Sequence, residues 1–151
     1  MFKKIGLIFK NSLSDNDKNS LKQLIPVLIK SDCTIYVEEE INFDGNFATE
    51  VLNDFPKTLD LLIVFGGDGT FLGSARKFLE FEIPMLGVNF GSVGFLTDIS
   101  VEGFEETIKD ILSGRHIIEE RDLVRVSFSN QTYFGLNEVL IHSGSYAQLM
   151  R

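Results

Sequence analysis

The 151-residue chain has a single cysteine, Cys33, and only two histidines. One cysteine excludes an intrachain disulfide, and such sparse use is typical of a reducing, cytosolic compartment. The histidines, His116 and His142, are too far apart in sequence to have the spacing of a metal-binding pair. Basic residues are also few, with 14 lysines and arginines against 22 acids and a formal net charge of −8. That balance argues against a nucleic-acid partner, which requires a basic face.

Long apolar runs are absent as well. No stretch reaches the length that spans a membrane, and the opening "MFKKIGLIF" carries an apolar run too short for a signal peptide. Apolar residues nevertheless make up 44% of the chain, enough for a packed core. We therefore expect a soluble, cytoplasmic protein with no membrane partner.

Strand and helix patterns alternate over the first 114 residues. Apolar runs at 3–9, 33–39, 59–65 and 83–90 predict strands, and helical spacing of apolar residues predicts helices at 21–29, 71–79 and 104–112. Pro26 predicts either a kink in the first helix or a different boundary, and residues 40–58 predict mostly loop. This alternation favours an α/β fold, an open parallel Rossmann-like sheet flanked by helices.

The pattern changes after Gly114. Residues 124–128 alternate between apolar and polar, and a second strand-like run follows at 132–141. These runs predict antiparallel strands with no following helix, so we place a domain boundary near 114–122 and assign residues 1–118 to the α/β domain. The remaining residues, 119–151, are too few to bury their own faces. They predict the first strands of a β-rich domain that continues past Arg151 or is completed by another chain.

Three glycines surround one carboxylate where the third strand ends, in "FGGDGT" at 65–70. Glycines allow a ligand to approach the backbone closely, and the N–H groups of the following helix N-terminus bind phosphate without a basic side chain. A second glycine turn, "GSVGF" at 91–95, follows the next strand. Because the carboxyl ends of parallel strands share one edge of the sheet, we expect both turns at one site.

Asp68, at the centre of the first turn, would repel a phosphate unless it had another role. A carboxylate there holds Mg²⁺ or accepts a proton from an attacking hydroxyl. The alternative is that Asp68 caps the following helix. The residues alone leave these interpretations open.

Three segments carry a resemblance to a known family. "GGDGT" resembles the superfamily of NAD kinases, diacylglycerol-type lipid kinases and phosphofructokinases. "GVNFGSVGFLTD" (87–98) resembles the G-x-N-x-G-x-x-G-F-L segment of NAD kinases, whereas lipid kinases typically have a G-T-x-N-D-type segment there. "LNEVLIHSG" (136–144) is similar to the Asn-Glu motif that opens the second domain of NAD kinases. The three segments occur in the family's order and span residues 60–144.

The resemblance implies a reaction and its residues. An NAD kinase transfers a phosphoryl group from ATP, or in some members polyphosphate, to the 2′-hydroxyl of the adenosine ribose of NAD, with Mg²⁺ or another divalent metal, and forms NADP. It implies Asp68 as the general base, with Gly69 in the same contact. It implies that the donor phosphates bind in a cradle formed by Gly66, Gly67 and Thr70. It also implies that NAD binds to Phe95, Asn137 and Glu138.

The resemblance implies three further residues less directly, namely Arg76 at the donor phosphates and His142 and Gln148 near NAD. Each assignment has a plainer alternative. Phe95 would otherwise belong to the core, Arg76 to an ion pair and Glu138 to a solvated strand. Asn137 and Glu138, as neighbours in a strand, would point to opposite faces unless the strand bends or ends there.

The alternatives for function are a lipid or other small-molecule kinase of the same superfamily, and an inactive nucleotide-binding fragment. NAD kinases continue well beyond the point that matches Arg151. Residues 119–151 are therefore expected to be the start of a truncated NAD-binding domain, which leaves the activity of this chain alone open. The family also forms homodimers or homotetramers through that domain.

Overall fold

A computed structural model describes residues 2–37, 49–51, 55–92, 94–136 and 138–140. A 3₁₀ turn at Leu79–Phe81 follows the second helix. The helices and strands, in chain order, are β1 (Lys4–Phe9), α1 (Asp15–Lys30), β2 (Thr34–Val37), β3 (Thr49–Val51), β4 (Leu61–Phe65), α2 (Asp68–Lys77), β5 (Met85–Asn89), β6 (Ile99–Ser100), α3 (Phe104–Leu112), β7 (Val124–Phe128) and β8 (Gln131–Gly135).

The first six strands form one parallel sheet in the order β3-β2-β1-β4-β5-β6. After β1, the strands β2 and β3 are added on one side of it, and β4, β5 and β6 are then added on the other side. The direction of strand addition therefore reverses between the neighbours β1 and β4. In open sheets of this kind, ligands bind beyond the carboxyl ends of the strands at such a switch point. The predicted α/β fold is confirmed, and its topology points to the ends of β1 and β4.

Both faces of the sheet are covered. In β4, Leu61, Ile63 and Phe65 pack in the same cluster as the buried residues of α1 and α3. Leu62 and Val64 point to the opposite face, in a cluster with Phe78 beyond α2. All five residues of β4 are buried, as expected for a strand covered on both sides.

The first helix continues through Pro26 as one helix. Its N-terminus is a capping box, in which Ser14 Oγ accepts from Asp17 N–H and the Asp17 carboxylate accepts from Ser14 N–H. A proline inside a helix costs about 3 kcal/mol. Four buried side chains offset that cost at about 1.5–3 kcal/mol each, namely Leu21, Leu24, Ile25 and Leu28.

Two strands differ from the prediction. The sequence predicts mostly loop at 40–58, but Thr49–Val51 pairs with β2 as the edge strand β3. Ile99–Ser100 likewise adds β6 beside β5. Both are edge strands of two or three residues, so neither has the apolar run that reveals a central strand. The other predicted strands of this sheet begin one or two residues later than expected, and β5 also ends one residue earlier. Residues 38 and 39 of the second predicted strand lie outside the described part of the chain.

The chain divides into two compact units, Met1–Ile118 and Glu119–Arg151. In the second unit, β7 and β8 form an antiparallel hairpin. Ser129 and Asn130 join them with positive φ at both positions, as the two-residue turn of such a hairpin requires. The second strand, predicted at 132–141, ends at Gly135 as β8, and residues 137 and 141 of that prediction lie outside the described part of the chain. Across the described residues, no helix combines the length and apolarity needed to cross a membrane.

Candidate functional site

The two glycine turns meet at the carboxyl ends of β4 and β5. Gly66 N–H donates to Val88 O at 2.9 Å, so the first turn begins against the end of the neighbouring strand. A methyl group on Gly66 would lie 2.8 Å from Thr70 Cβ, and this close approach explains why no side chain fits there. The expectation that both turns open onto one edge of the sheet agrees with this arrangement.

Gly67, and not Asp68, is the N-cap of α2. Its carbonyl accepts from the backbone N–H groups of Thr70 and Phe71 at 3.0 and 3.1 Å. Asp68 is the first helical residue, and Gly69 follows it in a fully open position. The interpretation of Asp68 as a helix cap is therefore wrong, and its carboxylate is available for contacts outside the helix.

The carboxylate of Asp68 contacts the second turn. Oδ2 accepts from the backbone N–H of Phe95 and Oδ1 from that of Leu96, each at 3.0 Å. Two consecutive amides thus hold the two oxygens of one side chain that lies 27 and 28 residues earlier in the chain. Asp68 itself remains partly exposed, so a ligand can approach it.

These amides also set the charge of the carboxylate. The N–H groups of Phe95 and Leu96 hold the pKa of Asp68 below its ordinary value, because they stabilise the ionised form. The side chain is therefore an anion at neutral pH, positioned beside a helix N-terminus whose N–H groups favour negative ligands.

A cavity of about 620 Å³ lies beside this turn, at the switch point between β1 and β4. Phe9, Lys10 and Asn11 line it from the end of β1, and α2 lines it with Gly69, Thr70, Gly73, Ser74 and Lys77. Methyl groups on Gly69 and Gly73 would meet nothing within 4 Å, so this face of the helix leaves room for a ligand.

The Phe95 side chain is 81% exposed. The alternative that Phe95 is a core residue is therefore wrong. Its backbone holds Asp68 while its ring lies at the surface. Arg76, in the last turn of α2, is exposed.

The Asn-Glu motif is only partly described. Glu138 is exposed and lies three residues beyond the end of β8. The strand therefore ends before the motif, and the objection that a strand would point Asn137 and Glu138 to opposite faces does not apply. Asn137, His142 and Gln148 lie outside the described residues.

Three residues that support this site were not predicted from the sequence. Leu96 acts through its backbone, Gly94 through its missing side chain, and Thr97 through a buried hydroxyl that accepts from Gly94 N–H at 2.7 Å. The sequence feature that could have pointed to these residues is the segment "GSVGF", which predicts a second glycine turn beside the first.

Among the described residues, no group of three or more His, Cys, Asp or Glu side chains has the arrangement to hold a metal ion.

Comparison with known proteins agrees with the three motifs. A family model, the ATP-NAD kinase N-terminal domain, matches residues 5–116. The NAD kinase of Teredinibacter turnerae is 34% identical over 157 residues, covering 99% of this chain and 53% of that protein. The NAD kinase of Chromohalobacter salexigens is 37% identical over 163 residues, with the same coverage of both. The chain thus spans about half the length of these relatives.

Two solved structures share the fold. Yeast NADH kinase complexed with NADH superposes with a TM-score of 0.66 at 18% identity, over 89% of this chain and 46% of that one. An NAD kinase from Archaeoglobus fulgidus in complex with ATP gives a TM-score of 0.53 at 24% identity, over 85% and 43% of the two chains. With the family model covering most of the first unit, this chain belongs to the NAD kinase family, whose N-terminal domain accounts for residues 5–116.

Proposed function

We propose that this chain supplies the donor-binding half of an NAD kinase, which transfers the γ-phosphoryl group of ATP to the 2′-hydroxyl of the adenosine ribose of NAD and forms NADP. The observation that carries the proposal is the position of Asp68. Its ionised carboxylate lies between the N-terminus of α2, where we propose that the donor phosphates bind, and the second glycine turn. That is where an acceptor hydroxyl would meet a transferring phosphoryl group.

The proposed chemistry is an in-line displacement. The 2′-oxygen forms a bond to the γ-phosphorus, the bond from that phosphorus to the β–γ bridging oxygen breaks, and ADP leaves. The hydroxyl proton passes to a carboxylate oxygen of Asp68. Because the transition state of such transfers is loose, the nucleophile needs little deprotonation before attack, and a carboxylate with a lowered pKa serves mainly to orient the hydroxyl and accept its proton late.

The donor phosphates would lie on the first glycine turn. Gly66, Gly67, Gly69 and Thr70 would form the cradle, and the cavity that borders Gly69 and Thr70 has room for more of the donor. Polyphosphate, which has no nucleoside, would use the same turn. Arg76 would approach the phosphates only if its exposed side chain turns back along α2.

The acceptor would lie on the other side of Asp68. The exposed Phe95 ring is suited to stacking near the adenine. Asn137 and Glu138 would hydrogen-bond the adenosine hydroxyls, with His142 and Gln148 nearby. In the yeast relative, NADH is the bound nucleotide, so NAD and NADH are both candidate acceptors.

Mg²⁺ normally enters kinase sites on substrate phosphates with one or two carboxylates. At the described turn, Asp68 is a single carboxylate and both its oxygens are held by amides. The described residues therefore fit a metal that arrives with the donor and do not fit a metal cage of the protein alone. When bound, such an ion would neutralise charge on the transferring phosphoryl group.

The second unit would begin the NAD-binding domain. Its hairpin exposes Phe128 by 71% and Tyr133 by 51%, and a two-stranded hairpin is marginal in water by itself. We propose that further strands cover this face in the working enzyme, which would be a cytoplasmic homodimer or homotetramer.

The test is ATP-dependent formation of NADP from NAD, measured for this chain and for its longest natural form. Asp68→Asn keeps the size of the side chain but removes the base, so we expect kcat to fall by about 10²- to 10⁴-fold with an unchanged circular dichroism spectrum. Turnover like that of the wild type in this variant would remove Asp68 from the role of base.

Asp60→Asn is the matched control. Asp60 also accepts two backbone N–H groups, from Lys3 and Lys4 at 2.8 Å, and they likewise lower the pKa of its carboxyl. It precedes β4, however, at the opposite end of the strand from Asp68. We expect its variant to keep its kcat. If instead the protein phosphorylates diacylglycerol and not NAD, the lipid-kinase alternative holds; nucleotide binding without either transfer would favour the inactive fragment.

A further inference from the structure

We propose that Gly94 is a positioning residue for the base, because its missing side chain lets the amides of Phe95 and Leu96 dock onto the Asp68 carboxylate and aim it at the acceptor hydroxyl. The inference rests on the proposed function of Asp68. It adds a residue that touches neither nucleotide and acts through the base alone.

The first observation is the geometry of the amide pair. Each amide serves a different carboxylate oxygen at 3.0 Å, so rotation of the carboxylate about its own axis would break both bonds. A carboxylate offers about four lone pairs, so Asp68 can accept from a ligand as well as from the backbone amides. The amides therefore fix which edge of the carboxylate faces the approaching hydroxyl.

The second observation is the lack of space at Gly94. A methyl group there would lie 2.7 Å from Asp68 Cγ and 2.8 Å from Oδ2. Close approach to the carboxylate therefore explains the absence of a side chain at this position.

The third observation is that the turn is fastened to the sheet. Gly94 N–H donates to the Thr97 hydroxyl at 2.7 Å, and Thr97 is buried. The next residue, Asp98, exchanges two hydrogen bonds with Gly87 of β5, at 2.8 and 2.9 Å. A turn held in this way does not move aside freely to accommodate a methyl group, so the strain would fall on the contact with Asp68.

The fourth observation is the effect of the amides on the charge. They lower the pKa of Asp68, and a variant that pulls them away should let this pKa rise toward its ordinary value of about 4. A general loss of stability would not produce that change. The pKa of the base is therefore the readout that separates positioning from folding.

The experiment compares Gly94→Ala with Gly103→Ala in the longest natural form of the enzyme. Gly103 lies outside both glycine turns, and a methyl group there would lie 3.9 Å from Ser100 O, an ordinary contact. For Gly94→Ala we expect kcat for NADP formation to fall by about 10²-fold, the effect of misplacing a catalytic group by about 1 Å, with KM for NAD changed only a few-fold. Gly103→Ala should keep the wild-type kcat.

The second readout is a ¹³C NMR titration of the Asp68 carboxyl, which needs no turnover. The pKa of Asp68 should be higher in Gly94→Ala than in the wild type and unchanged in Gly103→Ala. A wild-type kcat, or a fall in kcat without a rise in this pKa, would overturn the proposal. Activity that survives Asp68→Asn would instead overturn the proposed function, so the two failures are distinguishable.

Thr97 provides a second variant in case Gly94→Ala does not fold. Thr97→Val keeps the shape but removes the hydroxyl that holds Gly94, while Thr97→Ser keeps the hydroxyl. We expect the valine variant to raise the Asp68 pKa and lower kcat, and the serine variant to restore both. Equal behaviour of the two variants would contradict the proposed support of the turn.

Discussion

The ammonium of Lys10 lies 2.7 Å from the carboxylate of Asp17, and this ion pair ties the carboxyl end of β1 to the first turn of α1. The same oxygen of Asp17 accepts the backbone N–H of Ser14 at 2.8 Å. Lys10 Nζ also lies 4.9 Å from the centre of the Phe90 ring, just beyond β5. The buried carboxylate of Asp17 thus completes the capping box of α1 and also holds the ammonium of Lys10, which lines the cavity of the candidate site.

We expect Asp17→Asn to lower the free energy of unfolding by about 1–2 kcal/mol at neutral pH, because it removes the ion pair and weakens the capping box. Burial acts to raise the pKa of Asp17, but the hydrogen bonds from Lys10 and Ser14 together outweigh it and lower the pKa. A group with a lowered pKa stabilises the fold above its unfolded value, about 4, and loses that effect as the pH falls through its folded value.

Urea denaturation at pH 7 and pH 3 checks this prediction. The difference between wild type and variant should be smaller at pH 3, where the wild-type carboxylate begins to protonate. Asp15→Asn is the control, since Asp15 is an exposed acid in the same turn of α1. Equal losses at the two positions would contradict the prediction, as would a difference that grows in acid.

The sequence predicted the elements whose signal is local. The long helix α1 and the central strands β1, β4 and β5 follow from apolar periodicity, because each buries a continuous face. The edge strands β3 and β6 have three and two residues, too few to show an apolar periodicity, and each is defined only by its pairing with the strand beside it. No local pattern contains that information.

The same distinction applies to the site. "FGGDGT" predicted a phosphate-binding turn with an acid in it, but not where the acid would point. The contact of Asp68 with the amides of Phe95 and Leu96 crosses 27 residues and uses no side chain of the partner. It arises because β4 and β5 are neighbours in the sheet, so it follows from topology and not from motif spacing.

Gly87, in the middle of β5, is predicted to be essential for packing. A methyl group there would lie 2.8 Å from Thr97 Cα, a backbone atom that cannot turn aside. We expect Gly87→Ala to lower the free energy of unfolding by about 1–3 kcal/mol, as overpacking of a core does. Because Thr97 holds the turn that contacts Asp68, kcat should fall as well.

Chemical denaturation and NADP formation measure the two effects of Gly87→Ala. Gly103→Ala is a suitable comparison, since its methyl group would lie 3.9 Å from Ser100 O, an ordinary contact. Gly103 is the N-cap of α3, so Gly103→Ala should change the free energy of unfolding by no more than about 1 kcal/mol and leave kcat unaltered. A Gly87→Ala protein as stable and active as the wild type would show that the turn moves away from β5 easily.

Gly73, in the middle of α2, leads to the opposite prediction. A methyl group there would meet nothing within 4 Å, and alanine favours a helix interior over glycine by about 1 kcal/mol. Gly73→Ala should therefore raise the free energy of unfolding.

Gly73 also lines the cavity beside the first glycine turn. If the donor occupies that cavity, Gly73→Ala should raise KM for ATP several-fold and leave KM for NAD unchanged. Ala75→Gly, on the same helix and not among the residues that line the cavity, is the control and should lower stability without changing either KM. A stabilised Gly73→Ala protein with an unchanged KM for ATP would place the donor outside this cavity.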